Sequence, residues 1–416
     1  DNGKVGGTAE VVNLKKKGVI DDARRRQQPF DPADTGPVMV IYARRATAQP
    51  LPCKDEWQYP PNYGTPKFAE QMFERIFSRT DELNADILVI APSLSRLRDD
   101  ARQRLLGTQP VSDATLEPII DLYTSADALA TYFQRRTLFA MRALFLLVFG
   151  AVISFACFAH GVLHEPAEKP LLLAYLIVLF IALRLYGRVE RKRYQDRYLD
   201  YRALAEGLRV LFYWRIAGVK ESVSDRYLNH QRDELDWIRN ALRTVEQATR
   251  QFVPPPGCDG LNCALSQWID QEGDFFEQRI TGERNLLHRA EGHIEQLIVA
   301  GAVFTIVYIA ELMVLTETTR KEMREWMMVL IAVPAAAGAL YRGYMEKRAF
   351  AVHVKRYSRM SVLFRNAAAR LREQLEEGDV PAARNVLRRL GRAALEENGD
   401  WVILHRDRPL EVPSAG

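Results

Sequence analysis

Residues 143–163, ALFLLVFGAVISFACFAHGVL, run for 21 positions without an Asp, Glu, Lys or Arg. No other stretch limits the possible folds as strongly. At about 1.5 Å per residue such a helix reaches about 30 Å, the thickness of a bilayer's hydrocarbon core. The alternative is a buried core helix, but core helices seldom stay uncharged for so long. Pro170 opens a second apolar run, Leu171 to Leu183, which continues past Arg184 to Tyr186. The linker HEPAEK leaves room for little but a hairpin. A second pair follows much later, Leu297 to Leu315, interrupted by Glu311, and Trp326 to Tyr341, joined by the polar TETTRKEMRE. The mean hydropathy of −0.20 conceals this division into membrane and soluble parts.

Basic residues gather on one side of both hairpins. Arg135, Arg136 and Arg142 precede the first, and Arg184, Arg188, Arg191, Lys192 and Arg193 follow it. Arg279, Arg284 and Arg289 precede the second, and Arg342, Lys347, Arg348, Lys355 and Arg356 follow it. The positive-inside rule places these flanks, and both termini, in the cytoplasm, although Arg320, Lys321 and Arg324 lie in the opposite loop. Over the whole chain 57 Lys and Arg face 53 Asp and Glu, a net charge of +4. That excess is too small for a dedicated nucleic-acid binder, and the basic flanks read as topology and anionic-lipid contact. Four cysteines exclude a disulfide scaffold.

Sliding the chain on itself by 156 positions superposes Gly187 on Gly343, Glu190 on Glu346 and Arg191-Lys192 on Lys347-Arg348. Tyr194 falls on Phe350 and Tyr201 on Tyr357. Duplication of a hairpin followed by a basic helix is the favoured reading, with chance similarity of two juxtamembrane helices as the alternative. Those helices, Arg188 to Ile216 and Arg342 to Glu377, are expected to prolong the second span of each hairpin. Helices are also expected over Ser224 to Phe252, Leu265 to Arg289 and Pro381 to Asn398, with Trp401 anchoring the tail.

The first 130 residues differ. Val38 to Tyr42 and Ile87 to Ala91 have the length and β-branched content of buried parallel strands, and Phe68 to Leu83 has helical spacing. In KVGGTAEVVNLKKKG a glycine turn leads into a helix, Ala9 to Lys17, ending at Gly18. Exposed amides at such a helix start suit a phosphate, though a glycine pair before a helix is common. A doubly wound sheet would need strands ahead of this turn, so the numbered chain is expected to lack the first of them.

Gly6-Gly7-Thr8-Ala9-Glu10 resembles the glycine motif of the SLOG superfamily, Rossmann-like folds that bind nucleotides or nucleotide-derived ligands. RYLDYRALAEGLRVLFYWRIAG (Arg197 to Gly218) resembles the SLATT proteins, two-transmembrane domains associated with SLOG sensors. SADALATYFQRRTLFA (Ser125 to Ala140) and the tail ENGDWVILHRDRPLEVP are similar to membrane-associated SLOG proteins too. The resemblance implies a partial Rossmann-like α/β domain followed by an all-α membrane region of four transmembrane helices. The divisions are 1–124 (sensor), 125–220 (first hairpin and helix), 221–290 (helical layer), 291–378 (second hairpin and helix) and 379–416 (terminal helix and tail). It implies a nucleotide or NAD-derived ligand held by Lys4, Gly6, Gly7, Thr8 and Glu10, with no obligatory cofactor. It further implies a homo-oligomeric pore gated by that ligand in the bacterial inner membrane, in defence or stress signalling. LOG enzymes of this superfamily carry Gly-Gly-x-Gly-Thr-x-x-Glu. Here the motif is shortened, so Glu10 is catalytic only under the alternative reading of a membrane-tethered N-glycosidic hydrolase. A third reading is an assembly protein that binds no ligand.

Other candidates have blander explanations. Cys258 and Cys263 lack the second ligand pair of a zinc site and read as loop thiols, and no metal is expected. His288 and His293 fit a solvated helix, and His405 a solvated or packed position. Glu311 is an ionisable group inside an apolar run, where it is costly unless it faces a bundle interior, pore or partner. It is expected either to line a path or pair with Arg184, or to mark the outer end of its span.

Overall fold

The computed structural model describes residues 8–18, 35–41, 56–61, 64–107, 113–160, 168–227, 232–254, 257, 259–314 and 317–409. At the amino end stand α1 (Thr8–Lys17), β1 (Val38–Val40), β2 (Glu56–Gln58), α2 (Pro66–Val89) and α3 (Ser95–Leu106). The first repeat follows as α4 (Glu117–Ala159), α5 (Glu168–Arg191) and α6 (Tyr194–Ile216), then α7 (Arg232–Ala248). A short helix α8 (Asp259–Ala264) runs through a π-helical turn, Leu265–Asp270, into α9 (Gln271–Val314). The second repeat closes with α10 (Glu317–Arg348) and α11 (Phe350–Glu376), and α12 (Val380–Arg406) ends the described chain.

The expected Rossmann-like sheet does not form. Among the described residues the strands are β1 and β2, three residues each, paired antiparallel with Val38 opposite Gln58. The expected strand Ile87 to Ala91 is instead the end of α2 and a 3₁₀ turn. The reason is phase. Ala69, Met72, Phe73, Ile76 and Leu83 form the buried stripe of α2, and Ile87 and Ile90 continue it at helical spacing. Leu88 and Val89 point outward, 76% and 77% exposed, whereas a central parallel strand would bury both faces. Thr65 starts this helix: its side chain accepts from the Phe68 amide at 3.3 Å, and Pro66 occupies the first turn.

The repeat is structural as well as sequential. Arg193 (φ 48°) and Ala349 (φ 53°) are the non-glycine residues in left-handed backbone among the described ones. They lie 349 − 193 = 156 positions apart, the sequence shift itself. At each elbow the amide closes on the carbonyl three residues back, Arg193 on Glu190 at 2.9 Å and Ala349 on Glu346 at 3.1 Å. The next helix then starts from the elbow's own carbonyl, which accepts from Arg197 in one half and His353 in the other, both at 3.0 Å. A left-handed non-glycine residue costs about 1–2 kcal/mol, and two at matched positions are not a chance likeness of basic helices. The elbows kink the chain without reversing it: α6 prolongs the second span of its hairpin, as expected, and runs on beside the foot of α4, as α11 does beside α9.

The halves meet where α10 lies against α4, and α12 packs on both α6 and α11. Around these helices a layer forms at one end of the spans, with Trp214, Trp237, Tyr123, Tyr201, Tyr213 and Tyr227 fully buried. Tyr213 stacks on Trp268 with centroids 5.3 Å apart. The expected helix from Ser224 is instead a loop over the described residues 221–227, with α7 described from Arg232, because Glu246 gathers that loop. Its carboxylate accepts from the amides of Val223 (2.6 Å) and Ser224 (3.1 Å) and from both serine hydroxyls of that loop.

Four helices among the described residues are long and apolar enough to cross a membrane, formed by α4, α5, α9 and α10 with their continuations. The protein is accordingly built as a multi-pass membrane protein. Leu173, Leu176 and Phe180 on α5, and Ile298, Val303 and Ile306 on α9, stand exposed. Such surface suits hydrocarbon rather than water. Pro334 lies inside α10, where it withholds one backbone donor from the helix.

Candidate functional site

Of the residues expected to hold a nucleotide, Lys4, Gly6 and Gly7 lie outside the described residues. Thr8 opens α1 and Glu10 sits half-buried in its first turn. This helix rests on the small β-hairpin: the Gly36 amide donates to the Lys15 carbonyl at 2.8 Å, and Lys16 Nζ to Gln58 at 3.1 Å. Arg184 lies over the Phe180 ring of its own helix at 5.7 Å, and Glu311 is half-buried in the last turn of α9. Among the described residues no ion pair joins the two. Cys53 and Cys258 also fall outside, Cys157 lies on α4, and burial raises the Cys263 thiol above its ordinary pKa. His288 sits 3.7 Å from Glu291, both well exposed.

The structure instead concentrates its chemistry in ion pairs within the helical layer. Asp127 of α4, 1% exposed, accepts from Arg104 of α3 at 2.6 Å and Arg202 of α6 at 2.9 Å. Burial pushes this carboxyl up, but Arg202 and Arg104 outweigh it and hold the pKa below the ordinary value. The chain of charges continues through Glu206, paired with Arg202 (2.8 Å) and Arg209 (3.2 Å), to Glu272 of α9, which Arg209 also meets. Arg209 donates to Tyr123 as well, at 3.2 Å. One network therefore ties α3, α4, α6 and α9, reaching from the first repeat to the second.

A second cluster fastens α2 to the first elbow. Glu82 accepts from Arg193 (2.7 Å) and Arg197 (2.6 Å), and Asp86 from Arg197 (3.1 Å) and the Tyr201 hydroxyl (2.6 Å). Burial raises both carboxyls above their ordinary pKa in spite of these partners. On α6, burial raises Asp200 to about 6 although Arg406 of α12 meets it.

The third cluster seats the tail. His353 of α11 and His405 of α12 face each other, Nε2 to Nε2, at 3.0 Å. His405 Nδ1 stands 2.8 Å from the Trp401 carbonyl, which can only accept. Nδ1 therefore carries the proton, and His405 Nε2 accepts from His353. Trp401, expected to anchor the tail, meets Tyr198 edge to face and lies tilted against the His405 ring. Burial and the neighbouring cations Arg348, Arg356 and Arg408 lower both histidines, His353 to about 3. A histidine depressed in the folded state lets it bind fewer protons than the unfolded state between about 3 and 6.5. The docking is therefore complete above pH 6.5 and weakens as pH falls toward 3. Hydrogen exchange in 401–409 should rise over that window, and His353→Phe should flatten the dependence.

No family model matches the chain, and no curated protein or solved structure does either. With no Rossmann sheet among the described residues and no matching family, the resemblance to SLOG and SLATT proteins is withdrawn. The nucleotide-sensing domain and the ligand-gated defence pore that it implied go with it. No group of three or more potential metal ligands occurs among the described residues.

Proposed function

We propose that the protein is a membrane assembly protein whose four spans hold the helical layer on the cytoplasmic face, and whose copies associate through α5 and α9. The observation that carries this reading is the contact of α10 with α4. It is head-to-tail: the second span of one repeat lies on the first span of the other. The same contact made onward would place α5 of one copy against α9 of the next, and such heterologous contacts generate rings or chains. Burial is distributed accordingly. The apolar windows on α4 and α10 are 22% and 17% buried, those on α5 and α9 only 6% and 0%. An assembling role is supported by the layer, where Asp127, Glu206, Glu272, Glu82 and Asp86 are committed to arginines that join helices.

The test uses two differently tagged copies of the full chain, one carrying Leu176→Cys on α5 and the other Val303→Cys on α9. Both are made in a background with the native cysteines replaced. Any product holding both tags joins two molecules. A mixed-tag adduct after mild oxidation of intact membranes is the expected result. A single-chain mass in mild detergent together with no mixed adduct would sink the reading.

A further inference from the structure

We propose that the cleft between the two hairpins is a binding site for one aminophospholipid, taken from the leaflet next to the helical layer. The inference rests on the four helices spanning a bilayer but not on self-association. The cleft, about 1350 Å³, opens where α4, α9 and α10 diverge and continues down to the tail. It exceeds the roughly 300–1,000 Å³ of ordinary small-molecule pockets.

Its two ends differ in chemistry. Val148 and Val152 of α4, with Ala336, Ala339 and Leu340 of α10, line the end that lies within the spans. Water there would find no hydrogen-bond partners, and an empty space would forfeit dispersion contacts along its whole wall. An acyl chain satisfies that wall. The other end lies where the spans leave the apolar zone, and it carries both signs of charge: Lys347 and Arg408 stand with Glu291, Glu295 and Asp407, while Arg342 is paired to Glu346. Arg408 donates to the Glu346 carbonyl at 3.3 Å, a neutral acceptor that orients the guanidinium without neutralising it. Glu295 of α9 borders the same cleft, is exposed, and has no ion-pair partner among the described residues.

A headgroup with a phosphate and a primary ammonium matches this mouth. The phosphate accepts from Arg408 in charge-assisted hydrogen bonds, and the ammonium donates to Glu295. A purely anionic headgroup would leave Glu295 facing like charge, and a quaternary ammonium has no N–H to donate. Basic pockets between transmembrane helices at the cytoplasmic side are a recurrent setting for lipid headgroups. The acidic partner here selects among them.

The experiment reconstitutes the full-length protein in nanodiscs of equal phosphatidylethanolamine, phosphatidylcholine and phosphatidylglycerol. The protein is then released into mild detergent and the lipid kept by each chain is weighed by native mass spectrometry. We expect one phosphatidylethanolamine per chain, enriched about tenfold over the other two, the scale of one charge-assisted hydrogen bond. Ala339→Trp, which fills the apolar end, should abolish the adduct while circular dichroism is unchanged. Glu295→Gln should retain a lipid but lose the preference for the amine. No retained lipid on the wild-type chain, equal retention of all three, or an adduct indifferent to Ala339→Trp would each overturn the proposal. Failure of α5–α9 cross-linking leaves this reading intact, since the adduct is counted per chain.

Discussion

Replacing Asp127 with asparagine is expected to cost about 3 kcal/mol of stability, the lower end of what breaking a buried ion pair costs. The side chain keeps its shape and loses its charge, so Arg104 and Arg202 are left facing an amide. Arg104 is 53% exposed and Arg202 32%. Water therefore recovers part of the loss, which is why the upper end of the range does not apply. Arg202 bears the larger share, because it is left to Glu206 alone on a helix that also carries Arg209. With about 2.1 cal/mol/K of unfolding entropy per residue, a chain of 416 residues shifts by about 1 °C per kcal/mol, so thermal unfolding in detergent should move down by about 3–4 °C. A variant that unfolds within 2 °C of the parent would show the network to be ornamental. Arg104→Gln should do much less, its charge being half in water already.

Gly391→Ala should be as damaging for a purely steric reason. A Cβ at this position would stand 2.4 Å from Trp214 Nε1 and 2.6 Å from the adjoining ring carbons. Trp214 cannot step aside easily, since it is fully buried and its Nε1 donates to the Leu387 carbonyl of the same helix α12 at 3.2 Å. In an exposed helix the change would gain about 1 kcal/mol from propensity. Here overpacking of about 1–3 kcal/mol, with the indole hydrogen bond lost besides, reverses the sign. Amide exchange over 380–406 should quicken as α12 lifts from α6. A stabilised or neutral alanine variant would contradict the close approach.

The spans were legible because lipid demands that every outward side chain be apolar over some 20 residues, a constraint written entirely in local composition. The strands were not. A five-residue run such as Ile87 to Ala91 satisfies a buried strand and a helix end equally, and the stripe from Ala69 through Leu83 was the arbiter. The repeat could be read from Gly187 and Gly343, but its elbows could not. Arg193 and Ala349 are not residues that announce left-handed backbone, and only the matched break in two helices exposes them. Asp127 left one faint trace. It falls on the same stripe as Ile120, Tyr123 and Ala130, and a carboxylate on an apolar face needs a cation. Its partners, 23 positions before it and 75 after, have no local signature.

The paired elbows also fix what can move. In each half the first helix runs unbroken from the layer through the span, and the helix after the elbow carries the second span on beside its foot. Span, elbow and continuing helix thus brace each hairpin into a frame along its whole described length, so that spreading its legs would also break the packing of α4 on α6 or of α9 on α11. What freedom remains lies between frames, along the seam of α4 and α10, where each hairpin can rock only as a whole.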